Sequence, residues 1–143
     1  MAALYAAPAS DPPGVLASAP MEAFELDALL AAQAQSGRLF HEFVRSHDLS
    51  VGIYVLPAGG TDPQEPHTED EVYHVAAGRG RITVGDEDRQ VAAGSIVFVP
   101  ADTPHRFHDI EEELLLFVVF GPAEYTHRMD HERGHPHGAP PGS

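Results

Sequence analysis

Read as a pattern of apolar and polar positions, the chain changes character several times. Residues 1 to about 20 mix Ala, Pro, Ser and Gly without any repeat, the composition of a mobile arm. From Met21 the pattern becomes helical. Leu26, Leu29 and Leu30 fall on one face among alanines and Gly37 supplies a stop, so a helix of about four turns is predicted over residues 21–36. Beyond Gly37 the signals are those of strands. Residues 39–45, a Ser46-His47-Asp48 turn and residues 49–56 read as a hairpin, with Val51, Ile53 and Val55 on one face. Further strands are expected at residues 71–75, 81–84, near Val91, and at 95–99, 105–110 and 114–120, separated by Gly, Pro or acidic turns. Roughly eight short strands at close spacing mean an all-β barrel or sandwich.

The run from Leu114 to Phe120 does not alternate. A strand of that kind is covered on both faces, here by the barrel interior on one side and by the helix or a second subunit on the other. The acidic residues 109–113 before it read as a solvated turn. After Pro122 the chain becomes polar and rich in histidine (His127, His131, His135, His137) and ends Gly-Ala-Pro-Pro-Gly-Ser, the composition of a flexible tail. The expected organisation is an arm over residues 1–20, one domain over 21–122 with its barrel at 39–120, and a tail over 123–143.

Composition narrows the chemistry. A length of 143 residues suits one domain that buries about two-thirds of its unfolded surface, so no metal is needed merely to fold. The absence of cysteine excludes disulfides, cysteine zinc sites and thiol nucleophiles, leaving histidine and carboxylate as ligands. Acidic residues outnumber basic ones 22 to 8, for a formal charge of -14, which opposes phosphate backbones and anionic membranes. Neither nucleic acid nor membrane is expected as a partner. The N-terminus lacks a basic leader, and Pro8, Ser10, Asp11, Pro12 and Pro13 interrupt its apolar residues, so neither signal peptide nor membrane span is read and a cytoplasmic location is expected.

Two stretches, Gly59 to Gly78 and Gly94 to Asp109, carry the candidate chemistry. Each runs from a glycine through a turn into a histidine-bearing strand, and together they place His67, Glu71 and His105 at spacings suited to one metal ion. Imidazole and carboxylate are the donors of catalytic zinc and of the two-histidine, one-carboxylate iron(II) site. If strand alternation holds, Glu65, His67 and Glu71 all point inward. His74 and His108 are offset by odd numbers from Glu71 and His105 and point the other way. Tyr54, Tyr73 and Arg81 are weaker catalytic candidates, as acid or anion clamp, because tyrosines in barrels usually pack. His127 and His131, four apart, could form a surface metal pair, and with His135 and His137 an adventitious site on the tail.

The two stretches resemble the two conserved motifs of the cupin superfamily. The first motif is glycine, five residues, His-x-His, three residues, glutamate, six residues, glycine, and every interval is matched from Gly59 to Gly78. The second is glycine, five residues, Pro-x-Gly, two residues, histidine, three residues, asparagine, matched in spacing from Gly94 to Asp109. The resemblance covers about residues 39–120 and implies a double-stranded β-helix, a jelly-roll barrel, here with one N-terminal helix and flexible termini. It also implies metal ligands at Glu65, His67, Glu71 and His105. Three match in kind. Glu65 stands where the family has histidine, while Asp102 and Asp109 replace a glycine and an asparagine at structural positions.

If Glu65 binds, the two imidazoles and two carboxylates make a harder site, favouring manganese, iron(II) or zinc over copper(I). If it does not, His67, Glu71 and His105 form a facial triad with open positions. Pro66 can turn Glu65 away, with Gln64 a weaker substitute donor. One divalent ion per chain is expected, iron(II) first and manganese, zinc or nickel as alternatives. Because cupins host many activities, the resemblance selects no reaction. The leading expectation is an iron(II) oxygenase acting on a small organic molecule, as a homodimer that covers the surplus apolar face. Rivals are a non-redox isomerase or lyase, a binding module without turnover, a storage protein, and a barrel that keeps His67 and His105 merely as satisfied polar groups.

Overall fold

The computed structural model describes residues 19–124. The expected mobile arm falls almost wholly, and the histidines of the tail wholly, outside the described residues. The elements are α1 (Leu26–Ser36), β1 (Phe40–Arg45), β2 (Ser50–Leu56), β3 (Asp70–Val84), β4 (Glu87–Ala92), β5 (Ile96–Val99) and β6 (His105–Gly121). All pairings are antiparallel, in the order β1-β2-β6-β3-β4, with β5 on β3. No helix among the described residues is long and apolar enough to cross a membrane.

Helix α1 ends as its sequence predicts. Gly37 takes φ of 71° and returns its N–H to the Ala34 carbonyl, a left-handed cap that a residue with a Cβ adopts only with strain. The start differs, because residues 21–25 are not helical and Glu25, itself extended, supplies no side-chain cap. Leu29 is buried against β1 and β2, whereas Leu26 is 38% exposed, so the apolar stripe is narrower than the pattern indicated.

The eight expected strands become six because two pairs fuse. Segments 71–75 and 81–84 are one strand, β3, and segments 105–110 and 114–120 are one strand, β6. The two lie side by side from Asp70↔Gly121 to Val84↔His105, with register shifts between Val75 and Arg81. Bulges there absorb the bend that the sequence seemed to assign to turns. Gly78 has φ of 92°, and a Cβ on it would stand 1.9 Å from the Glu113 carbonyl oxygen. No side chain fits so close an approach. The acidic stretch 109–113 is therefore the exposed middle of β6 and not a turn, with Arg79 facing Glu111 and Glu112 across the ladder.

One face of the folded sheet forms the core. Tyr54 and Leu56 of β2, Tyr73, Val75 and Ile82 of β3, Val99 of β5, and Phe107, Leu114, Leu116, Val118 and Phe120 of β6 pack into one cluster. Alternation sends Val72, His74, Ile96, Phe98, Phe117 and Val119 to the outer face. Helix α1 packs on β1 and β2, so among the described residues nothing covers the outer face of β5, β3 and β6, where Ile96 is 69% and Phe98 56% exposed. Among the described residues, the non-alternating run in β6 is thus covered inside and only half covered outside.

Candidate functional site

Residues 57–69, between β2 and β3, form no strand. Pro63 and Pro66 keep this segment out of the ladder, and side-chain bonds hold it instead. The buried carboxylate of Asp62 accepts from the Tyr54 hydroxyl at 2.5 Å and from the Gln64 N–H at 3.0 Å through Oδ1, and from the Phe107 N–H at 3.0 Å through Oδ2. The His67 carbonyl accepts from Asp102 at 2.7 Å. Asp102, at the motif's glycine position, takes φ of 61°, the conformation glycine tolerates best. These ties turn His67 inward and leave Gln64 half-buried and Glu65 exposed. The expected alternation from Glu65 fails because β3 begins only at Asp70.

Glu71 and His105 meet inside the barrel. Glu71, opposite Val99 and Phe120, is 1% exposed, and its Oε1 lies 2.9 Å from His105 Nε2. Its Oε2 has no hydrogen-bond partner among the described residues. His105 Nδ1 lies 2.8 Å from the Thr103 carbonyl, which only accepts, so Nδ1 carries a proton and Nε2 faces Glu71. Burial lowers the His105 pKa, but the Glu71 carboxylate, the Thr103 carbonyl and Asp62 outweigh it and leave it raised above 6.5.

Tyr73 joins the same cluster. Its hydroxyl donates to Gln64 Oε1 at 2.5 Å and lies 3.2 Å from His105 Nε2. Burial, and then the charges of Glu71 and Asp62, push its pKa well up. Tyr54 is raised by burial and then by the charge and hydrogen bond of Asp62. Both phenols stay protonated near neutral pH and act as donors, not bases.

The His67 ring lies 6.3 Å from that of His105 and edge-on to Phe120 at 4.7 Å. Its Nδ1 is 3.3 Å from Glu124 Oε2. Glu124 is itself buried and anchored, its N–H donating to Ser50 Oγ at 2.9 Å and its carbonyl accepting from Arg45 Nη2 at 2.7 Å. Sequence reading placed this residue in the tail, with only a carboxylate just past the last strand to mark it. Asp62 was missed too, since an aspartate between Thr61 and Pro63 looks like any turn residue.

The structure thus brings His67, Glu71, His105, Tyr73 and Gln64 to one end of the barrel interior and leaves Glu65 outside. Glu71 meets His105, and Tyr73 meets both His105 and Gln64. Among the described residues, no three His, Asp or Glu side chains converge closely enough to hold a metal ion. The donors fit a divalent cation in kind, as two imidazoles and a carboxylate with an unsatisfied oxygen. Arg81 lies elsewhere, its Nε 2.7 Å from Asp88 Oδ1 in an outward network with Thr83 and His108. Hydrogen bonds from Thr83, Arg81 and His108 hold the Asp88 carboxyl well below the usual range. His74 is exposed and stacks on Phe117, and both it and His108 face away from the site as alternation predicts. A cavity of about 350 Å³ opens over His67, Gln64 and Glu124, walled by Leu39, Phe40 and Tyr54.

The Cupin domain family matches residues 52–121, from within β2 to the end of β6, spanning both motif stretches. The chain belongs to the cupin superfamily. An uncharacterized protein of Streptomyces coelicolor is 52% identical over 104 residues, covering 73% of this chain and 99% of that one. An RmlC-like cupin family protein with a double-stranded beta-helix fold, from Methanocaldococcus jannaschii, matches with a TM-score of 0.54 at 24% identity, over 58% of this cupin and 78% of that chain. DMSP lyase DddQ of Ruegeria pomeroyi matches with a TM-score of 0.53 at 23% identity, over 62% of this cupin and 49% of that chain. At such identities the two structures show a shared barrel fold and nothing of its chemistry.

Proposed function

We propose that this cupin is a mononuclear metal-dependent enzyme acting on a small organic molecule, with one divalent ion per chain held by His67, Glu71 and His105. The observation that carries this reading is Glu71. A carboxylate so deeply buried, with one oxygen lacking a hydrogen bond, costs on the order of several kcal/mol unless a positive charge stands beside it. The imidazolium of His105 supplies such a charge in the metal-free protein, and a cation supplies it better to both donors at once. Glu65, being exposed, is left out of the ligand set, and the inward Gln64 Oε1 is the better fourth donor. Iron(II) is the favoured ion, with manganese, zinc or nickel as alternatives.

A bound ion would contribute Lewis acidity and, as iron(II), redox chemistry with dioxygen, which makes oxygenation the leading reaction class. The chain's own residues prepare the site. The Thr103 carbonyl fixes the His105 tautomer, Glu124 orients the His67 ring through Nδ1, and Tyr73 keeps Gln64 turned inward. A non-redox lyase or isomerase is the second reading, in which Tyr73, 3.2 Å from His105 Nε2, would hold or move a proton at the site.

Oxygen uptake and product formation decide between them, measured on full-length protein reconstituted anaerobically with iron(II), manganese, zinc or nickel and offered a panel of small organic acids. Substrate-dependent oxygen uptake with iron(II) supports the oxygenase. Turnover with zinc or manganese and no oxygen consumption moves the assignment to the second reading. The absence of any metal-dependent turnover, together with unchanged metal content in His67→Ala, overturns both. We also infer a homodimer that buries the open outer face around Ile96 and Phe98, since so large an apolar surface is unfavourable in water.

A further inference from the structure

We propose that the cavity above this site takes a small organic monocarboxylate, and that Arg38 is the residue that meets its carboxylate. The proposal rests on the reading of the site above only for where the bound molecule leads, not for how it is held.

Arg38 follows the left-handed Gly37 and lines the same cavity as His67, Gln64 and Glu124. Its backbone is fixed, with the N–H donating to Ser36 Oγ at 3.1 Å and the carbonyl accepting from Gln33 Nε2 at 2.7 Å. Its guanidinium, by contrast, makes no ion pair or hydrogen bond among the described residues. That is unusual in a chain with 22 acidic and 8 basic residues. Arg45 engages Glu42 and the Glu124 carbonyl, Arg79 engages Glu111 and Glu112, Arg81 engages Asp88, and Arg89 its neighbour's carbonyl. Arg106 shares the unpaired condition but does not line the cavity that contains His67. A planar guanidinium on a fixed backbone, its five donors unused, suits bidentate capture of a carboxylate.

The rest of the cavity sets the class of anion. Leu39, Phe40 and Pro63 give it apolar walls, which suit a hydrocarbon body. Its volume of about 350 Å³ lies at the small end of ligand cavities, enough for a molecule of modest size. Glu65 and Glu124 also line it. One guanidinium against the carboxylates of Glu65 and Glu124 disfavours a multiply charged group such as phosphate more strongly than a single carboxylate, which Arg38 can pair one to one. Arg38 is exposed and His67 buried, so a molecule whose carboxylate meets Arg38 would direct its apolar end toward His67 and Gln64.

The test is binding, read by saturation-transfer NMR and calorimetry on the full chain, with and without manganese. The probes are 4-methylpentanoate, benzoate, their primary amides and inorganic phosphate. The carboxylates should bind at least about tenfold more tightly than their amides, and Arg38→Gln should erase that difference while Arg38→Lys keeps part of it. Metal content should be the same in Arg38→Gln as in the parent. Equal binding of carboxylate and amide, carboxylate binding unchanged in Arg38→Gln, or Arg38-dependent binding of phosphate in place of the carboxylates overturns the proposal. So does the absence of binding by either carboxylate at 10 mM, a probe concentration far above the roughly millimolar range of even weak ligands. Arg38-dependent carboxylate binding in a protein that takes up no metal upholds this proposal while removing the metalloenzyme reading, so the two fail separately.

Discussion

Replacing Asp62 by alanine should destabilise the protein by about 3 kcal/mol, because this one side chain holds the irregular segment against two strands. Its carboxylate accepts three hydrogen bonds, from the Tyr54 hydroxyl, the Gln64 N–H and the Phe107 N–H. A hydrogen bond to a charged group contributes about 1.5–3 kcal/mol, so simple addition would exceed 5 kcal/mol. Three effects reduce that sum. The Gln64 N–H is only partly buried and can turn to water, the Tyr54 hydroxyl can reorient, and removing a charge near Glu71 relieves repulsion. The buried Phe107 N–H has no such escape. Asparagine keeps one acceptor oxygen but places an amide N–H against a donor, so it should cost about 1–2 kcal/mol. Against a total stability of about 5–15 kcal/mol these are large losses. Urea unfolding followed by circular dichroism measures them, and at a slope of about 1.5 kcal/mol per molar the alanine midpoint should fall by about 2 M. A loss below about 1 kcal/mol for alanine, or a larger loss for asparagine than for alanine, would refute the reasoning.

Three further outcomes are expected. Because the folded-state pKa of His105 is raised above 6.5, the His105–Glu71 pair contributes stability that is fully present below about pH 6.5 and is lost as pH rises through the folded value. Urea midpoints of the metal-free protein should therefore decline from pH 6 toward pH 9 relative to His105→Gln, and a constant difference would count against the pair. Gly78→Ala should cost at least about 3 kcal/mol, from a positive φ plus a backbone clash, while Gly94→Ala, with φ of 96° but open space around it, should cost about 1 kcal/mol. Melting temperatures check this, and equal losses at the two sites would be inconsistent with the close approach of β3 to β6. Phe98→Glu, on the open outer face, should convert a dimer into a 15.4 kDa monomer in analytical ultracentrifugation. Sedimentation identical to the parent's would place any dimer interface elsewhere.

The barrel and its inner histidines were legible because the information lies in local spacing. Gly59 to Gly78 and Gly94 to Asp109 fix where a turn ends and which strand residue follows, and His67, Glu71 and His105 all reach the interior. Spacing misled where the backbone departs from a regular strand. Alternation from His67 turns Glu65 into the barrel, yet Pro63 and Pro66 hold that segment off the ladder and Glu65 is exposed at the cavity that His67 also lines. Gly78 and Asp109 resembled turn residues, yet they are bulges inside two long bent strands. Asp62 and Glu124 were invisible for a different reason. Each takes its role from a partner distant in the chain, Phe107 45 residues from Asp62 and Ser50 74 residues from Glu124. No local pattern distinguishes a carboxylate that will be buried by such contacts from one that stays in solvent.

Metal content measured by mass spectrometry tests the central claim most directly. The protein to use is the full chain with His127, His131, His135 and His137 replaced by asparagine, so that the tail contributes no ligand. After equilibration with iron(II) or manganese and dialysis, it should retain about one equivalent per chain, falling below about a tenth in His67→Ala, Glu71→Gln and His105→Ala. Less than about a tenth of an equivalent in the parent, or a stoichiometry that these three substitutions leave unchanged, would contradict the account.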